Sequence, residues 1–104
     1  MFGLFKNIFA PTDNNELKNA LKNGAFLVDV RTPAEFSGGS INGAVNIPLD
    51  DVQKQLSKFK NKKSIVVFCR SGNRSSQAKS ILEQNGFQNV INGGTWQNVN
   101  QLIN

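Results

Sequence analysis

Short apolar runs of strand length alternate with stretches of helical periodicity along the chain, and this alternation restricts the fold more than any other feature. Ala25-Phe26-Leu27-Val28-Asp29-Val30 is nearly continuous in apolar residues, the pattern of a strand covered on both faces by helices. Ala44-Val45-Asn46-Ile47 before Pro48, Ser64-Ile65-Val66-Val67-Phe68 and Asn89-Val90-Ile91 read as further strands, the run from Ser64 to Phe68 being the strongest because it is rich in β-branched residues. Leu17, Ala20 and Leu21 have helical spacing; Asp13 with Glu16 resembles a capping box and Gly24 is a natural stop, which predicts a helix over 13–23. Leu49, Val52, Leu56 and Phe59 mark a second helical stretch, and Ala78, Ile81 and Leu82 a third that Gly86 ends. Gly93-Gly94 predicts a tight turn before a closing helix carrying Trp96, Val99, Leu102 and Ile103. Strands and helices in this order imply right-handed crossovers and a parallel sheet, an α/β fold.

The length of 104 residues supports one core, so the expected organisation is a single domain over 13–104 preceded by an apolar segment at 1–12. Hydrophobic residues at 38% and charged residues at 18% place the chain among globular proteins, outside the disordered and membrane-spanning classes. Lys6 interrupts the apolar N-terminus, so neither an export signal nor a spanning helix is expected there. Phe2, Phe5 and Phe9 would share a helical face, yet residues 1–9 are too short to bind a membrane strongly, and packing on protein is the favoured reading. The net charge of +5 attracts anions, but the lysines are dispersed and the densest pair is Lys62-Lys63. A nucleic-acid reader would show a basic stripe with interleaved aromatics, so a small anionic substrate fits better.

The chain has one cysteine, Cys69, and no histidine. An internal disulfide, a Cys-x-x-Cys redox pair, a Cys-His nucleophile and most Cys/His metal sites are thereby excluded. A lone cysteine and the missing export features make the cytoplasm the expected compartment. Cys69 follows the strongest strand and precedes a helix that starts near Arg74, so it lies at the carboxyl end of a central strand, where α/β sheets bind ligands. Ser71-Gly72-Asn73 are small or turn-forming and let backbone N–H groups curl inward. The helix N-terminus, Arg70 and Arg74 add positive charge, which favours a thiolate without a histidine base. An inert buried cysteine would not need two arginines within five residues of it.

Cys69-Arg70-Ser71-Gly72-Asn73-Arg74-Ser75 resembles the active-site loop of bacterial single-domain rhodaneses. Asp29-Val30-Arg31 followed by Glu35-Phe36, then Gly43-Ala44-Val45-Asn46-Ile47-Pro48, then Gly93-Gly94 with Trp96, resemble three further segments of that family in the same order. The resemblance implies a central parallel sheet of about five strands flanked by helices on both faces. It also implies a sulfurtransferase in which Cys69 takes a sulfur atom from a small anionic donor such as thiosulfate and passes it, from a persulfide, to cyanide, a thiol or a protein acceptor. Arg70, Ser71, Gly72, Asn73 and Arg74 correspond to the substrate-binding cradle, with Arg70 the better candidate for a donor's charge and Arg74 divided between that role and fixing the loop. Asp29, Arg31 and Glu35 are expected to support the site as an ion-pair and capping group; Trp96 is expected in the core. No metal, organic cofactor or nucleic-acid partner is implied. Where the family often has Gly-His-Ile, this chain has Gly39-Ser40-Ile41.

Three other functions use related folds. Phosphatases of the cell-cycle and arsenate-reducing kinds place five residues between cysteine and arginine; here four separate Cys69 from Arg74, and Ser75 fills the later position without a fork of charged donors. Non-catalytic binding modules of the family lose the cysteine, which this chain keeps. A persulfide carrier serving one protein partner, with little activity on thiosulfate, has the same loop and stays open as the alternative.

Overall fold

The computed structural model describes residues 14–103. The apolar segment at 1–12 and the Asp13 cap lie outside them. Four parallel strands form one sheet in the order β2-β1-β3-β4: β1 is Phe26–Asp29, β2 Val45–Asn46, β3 Ile65–Cys69 and β4 Val90–Thr95. The helices are α1 (Asn14–Lys22), α2 (Pro33–Ser37), α3 (Leu49–Val52), α4 (Asn73–Gln84) and α5 (Trp96–Ile103). The fold is α/β with helices around a parallel sheet. Its strand count among the described residues is four, against about five implied by the family resemblance. Each of the four apolar runs of the sequence forms one strand, and the described residues hold no fifth run.

β3 is the strand on which the rest is assembled. All five of its residues are buried, and their alternation divides the core in two. Ile65, Val67 and Cys69 face a cluster with Val28, Val30, Ile47, Val52, Phe59, Ala78 and Leu82, which α3 and α4 help to cover. Val66 and Phe68 face the opposite cluster, with Leu17 and Ala20 of α1, Ile91 of β4 and Val99 of α5. Removing each such side chain from water contributes about 1.5–3 kcal/mol, so a strand buried on both faces is worth more than a half-buried one of equal length. Trp96 packs against the second cluster from the side and is partly exposed.

Two expectations are corrected. The helical stretch after Pro48 is not continuous: α3 passes into a 3-10 segment, Gln53–Phe59, with non-helical backbone at Gln55. That kink still delivers Leu56 and Phe59 to the core, because only the spacing of the apolar contacts was read from the sequence. Gly93-Gly94 does not make a turn between β4 and α5; both glycines lie inside β4. The β3–β4 register steps there, with Val67 opposite Asn92 and Phe68 opposite Gly94, so Gly93 is the extra residue of a bulge. A Cβ on Gly93 would stand 2.6 Å from Val99 Cγ2 and 3.1 Å from Val66 Cγ1. Glycine is required here by the close approach of α5 to the sheet.

Gly93→Ala is therefore expected to destabilise the protein by about 1–3 kcal/mol, as overpacking does. In chemical denaturation this should lower the midpoint at unchanged slope. A midpoint equal to that of the parent would contradict the packing account.

Candidate active site

From β1 the chain leaves to one side to reach β2 and returns to the other to reach β3, so the carboxyl ends of β1 and β3 border the point where the winding reverses. Asp29 ends β1 opposite Phe68, and Cys69 follows one residue further on β3. The β3–α4 loop and the β1–α2 loop therefore stand side by side over this end of the sheet.

The β3–α4 loop wraps the cysteine sulfur. The Gly72 N–H donates to Cys69 Sγ at 2.9 Å and the Ser75 N–H at 3.4 Å, while the thiol lies 3.5 Å from Ser75 Oγ and donates to it. Gly72 caps α4 at φ +95°, a backbone region that glycine enters without cost and that turns the following N–H groups toward the sulfur. Burial pushes the thiol pKa up, but hydrogen bonds with the Ser75 hydroxyl and from the N–H groups of Ser75, Ser71 and Gly72 outweigh it and hold the thiol below its ordinary value. N–H and hydroxyl dipoles thus lower the thiol pKa at a site that has no histidine.

The two arginines of the loop differ in setting. Arg74 Nη1 and Nη2 donate to the two carboxylate oxygens of Glu35 at 2.7 and 3.0 Å, a two-pronged bond from α4 to α2. Glu35 is in turn part of a capping box: its Oε1 accepts from the Thr32 N–H and its own N–H donates to Thr32 Oγ1. The Arg74 guanidinium first, and the Thr32 N–H second, hold the Glu35 carboxyl down to about 2. The pair is therefore intact above the ordinary carboxylate range and is released only as pH falls toward about 2. Arg70 is exposed and makes no hydrogen bond or ion pair among the described residues. Ser71 and Asn73 are exposed on the same turn.

Asp29, Arg31 and Glu35 do not form one group. Asp29 and Arg31 make a buried ion pair of their own, with Arg31 Nη2 donating to Asp29 Oδ2 at 2.7 Å and Nε to Oδ1 at 3.0 Å. The Arg31 N–H and Ser40 Oγ also donate to the Asp29 carboxylate, and Arg31 Nη2 reaches the Gly39 carbonyl. Asn46 Nδ2 donates to the Asp29 and Arg31 carbonyls, which ties β2 to the same corner. Arg31 lies 5.4 Å from the Trp96 ring centroid, so the tryptophan covers the guanidinium as well as the core. Ser40, at the position where the resemblance leads one to expect histidine, supplies a hydroxyl to this pair.

Two further side chains belong to the site: Ser75, named from the sequence as the end of the loop but given no role toward the sulfur, and Asn92, which was not named at all. Ser75 is fully buried, and Asn92 accepts from it at 2.7 Å through Oδ1. A polar residue inside an otherwise apolar strand, next to a glycine pair, was the available signal for Asn92. Its meaning depended on the bulge, which places it opposite Val67 and beside α4.

This geometry makes the acidity of Cys69 measurable. Alkylation by iodoacetamide should follow pH with a midpoint below the ordinary thiol value of about 8.5. Ser75→Ala should raise that midpoint, because the thiolate loses a hydroxyl donor. An unchanged midpoint would remove Ser75 from the activation of the thiol.

Residues 13–96 match the family model described as a rhodanese-like domain. A sulfurtransferase of Allochromatium vinosum is 41% identical over 66 residues, covering 64% of this chain and 62% of its own length. The thiosulfate sulfurtransferase PspE of Escherichia coli is 36% identical over 69 residues, covering 64% of this chain and 66% of its own length. The matches thus span a little under two thirds of these relatives. The human single-domain sulfurtransferase TSTD1 superposes with a TM-score of 0.68 at 30% identity, over 86% of this chain and 94% of that one. No described helix is long and apolar enough to cross a membrane. With the sheet, the loop and these likenesses together, the chain belongs to the rhodanese-like domain family, whose single-domain members here are sulfurtransferases.

Proposed function

We propose that the chain transfers a sulfane sulfur from thiosulfate to a small nucleophile or a protein acceptor through a persulfide on Cys69. The observation that carries this reading is the sulfur cradle: Cys69 Sγ accepts N–H donors from Gly72 and Ser75 inside a loop in which the Arg70 side chain has no partner among the described residues. The Cys69 thiolate attacks the outer sulfur of thiosulfate, an S–S bond forms to Cys69, and the original S–S bond breaks with its electron pair leaving on sulfite. The persulfide anion keeps the negative charge at the same N–H donors. Cyanide or a thiolate then attacks the outer sulfur and leaves as thiocyanate or a new persulfide, which restores the Cys69 thiolate. Both steps conserve charge and need no redox partner.

Arg70 is assigned to the donor's sulfonate, because its guanidinium is exposed beside the loop and uncommitted among the described residues. Arg74 is assigned to holding the loop, since both of its prongs are taken by Glu35. Ser71, Gly72 and Asn73 complete the cradle; Asp29 and Arg31 brace the adjoining corner. A lone cysteine that must stay a free thiol to accept sulfur fits a reducing compartment, and the cytoplasm is the one proposed.

Incubation with thiosulfate should add one sulfur atom, about 32 Da, in intact mass measurement; cyanide or a thiol should remove it, and Cys69→Ser should never gain it. No gain with any sulfur donor would overturn the sulfurtransferase reading. A gain from a persulfide donor but none from thiosulfate would instead assign the chain to the carrier class, a persulfide protein serving a specific partner.

Arg70→Ala should slow persulfide formation from anionic thiosulfate more than from a neutral donor, in single-turnover kinetics. Equal slowing with both donors would assign Arg70 to loop structure.

A further inference from the structure

The Ser75 hydroxyl has one proton and three neighbours that could accept it. They are Asn92 Oδ1 at 2.7 Å, the Gly72 carbonyl at 3.1 Å and Cys69 Sγ at 3.5 Å. The identity of the Asn92 oxygen is fixed independently, because the Gly94 N–H, which can only donate, points at it from 2.9 Å. Ser75 must therefore be the donor in its shortest bond. The Gly72 carbonyl already accepts from the Ser76 N–H at 3.1 Å and has Asn92 Nδ2 at 3.5 Å, so it has little need of the Ser75 proton. Ser75 is fully buried, which leaves no solvent to serve the hydroxyl.

We propose that Asn92 is a positioning residue for Cys69: it holds the Ser75 proton away from sulfur, so the resting thiol donates to Ser75 Oγ, and when base from solution takes the thiol proton the Ser75 hydroxyl turns from Asn92 to Sγ. The pair works as an internal two-position switch. With a thiol, the order of donation is Cys69 to Ser75 to Asn92. With a thiolate, the Ser75 hydroxyl leaves Asn92 and donates to Sγ, a charge-assisted bond that is stronger than the one given up. Asn92 then keeps the Gly94 N–H, so the bulge does not lose its anchor when the hydroxyl turns. Asn92 opposes ionisation by the strength of one neutral hydrogen bond, and Ser75 favours it on balance.

Charged groups at this end of the sheet include Arg74 and Arg70 on the β3–α4 side, Glu35 on α2, Asp50 and Asp51 on α3, and Asp29, which ends β1, with Arg31 just after it. Glu35 is paired with Arg74 and Asp29 with Arg31. None of them is altered by a neutral change at Asn92. The inference deepens the sulfur-transfer reading and rests on it for its significance, but alkylation reports the thiolate alone, so either can fail without the other.

The test is a set of alkylation pH profiles with iodoacetamide on the whole chain. Asn92→Ala should lower the Cys69 midpoint by about half to one pH unit, the worth of one neutral hydrogen bond. The same substitution in a Ser75→Ala background should leave the midpoint where Ser75→Ala alone puts it. A shift that is absent, upward, or equal in both backgrounds would overturn the proposal, since a structural loosening of the loop does not require Ser75. If Asn92→Ala does not fold, Asn92→Asp decides: its carboxylate holds the hydroxyl proton harder, so the midpoint should rise more with Ser75 present than in the Ser75→Ala background. An equal rise would reduce Asn92 to the effect of its charge and overturn the proposal.

Discussion

The pairing of β1 with β3 in parallel register is the constraint from which the candidate site follows. Because Asp29 lies opposite Phe68, the last residues of both strands emerge together, and two loops of unrelated sequence are forced into contact. Parallel strands cannot be joined by a tight hairpin, so each must leave through a helix, and the helix after β3 begins four residues beyond Cys69. The cysteine is thereby held between a rigid strand and a rigid helix. Its sulfur meets N–H groups that are already oriented before any substrate arrives, and no reorganisation is needed to present them.

Around this point the structure keeps two ion pairs apart. The Asp29–Arg31 pair is buried, Ser40 and the Gly39 carbonyl add hydrogen bonds to its charged groups, and Asn46 holds the backbone carbonyls of both residues. Breaking one member of such a pair leaves a buried charge uncompensated, so it fixes the corner more than it adds net stability. The Glu35–Arg74 pair is partly exposed and joins α2 to the first turn of α4. Its geometry is bidentate and its carboxylate is also locked in the α2 capping box, which restricts both side chains without burying either.

The chain's apolar runs made the α/β architecture and the position of Cys69 legible, because continuous burial of β3 and helical spacing in α1 and α4 are local patterns. The interior of the stretch after Pro48 was less so: Leu49, Val52, Leu56 and Phe59 satisfy a helix or a kinked pair of short helices equally well. Gly93-Gly94 was misread for a related reason. Paired glycines signal a turn when only backbone freedom is considered, whereas here Gly93 is demanded by Val99 and Val66 approaching from outside the local sequence. The bond between Asn92 and Ser75 spans 17 positions and depends on that bulge, so no local pattern announces it. Likewise the division of Asp29, Arg31 and Glu35 into two pairs depends on where α4 presents Arg74.

Among the described residues, committing Arg74 to Glu35 leaves the loop with one uncommitted charge, on the exposed side chain of Arg70, while the sulfur below is governed by dipoles about 3 Å away. These two kinds of field answer to different surroundings. Dissolved salt screens an exposed charge over a Debye length of roughly 8 Å at physiological ionic strength, but it does not enter the space between Sγ and the Gly72 N–H. The pull of an exposed charge on ions in solution and the acidity of the thiol are thus separately adjustable quantities in this small domain, the first set by the ionic medium and the second by the covalent chain.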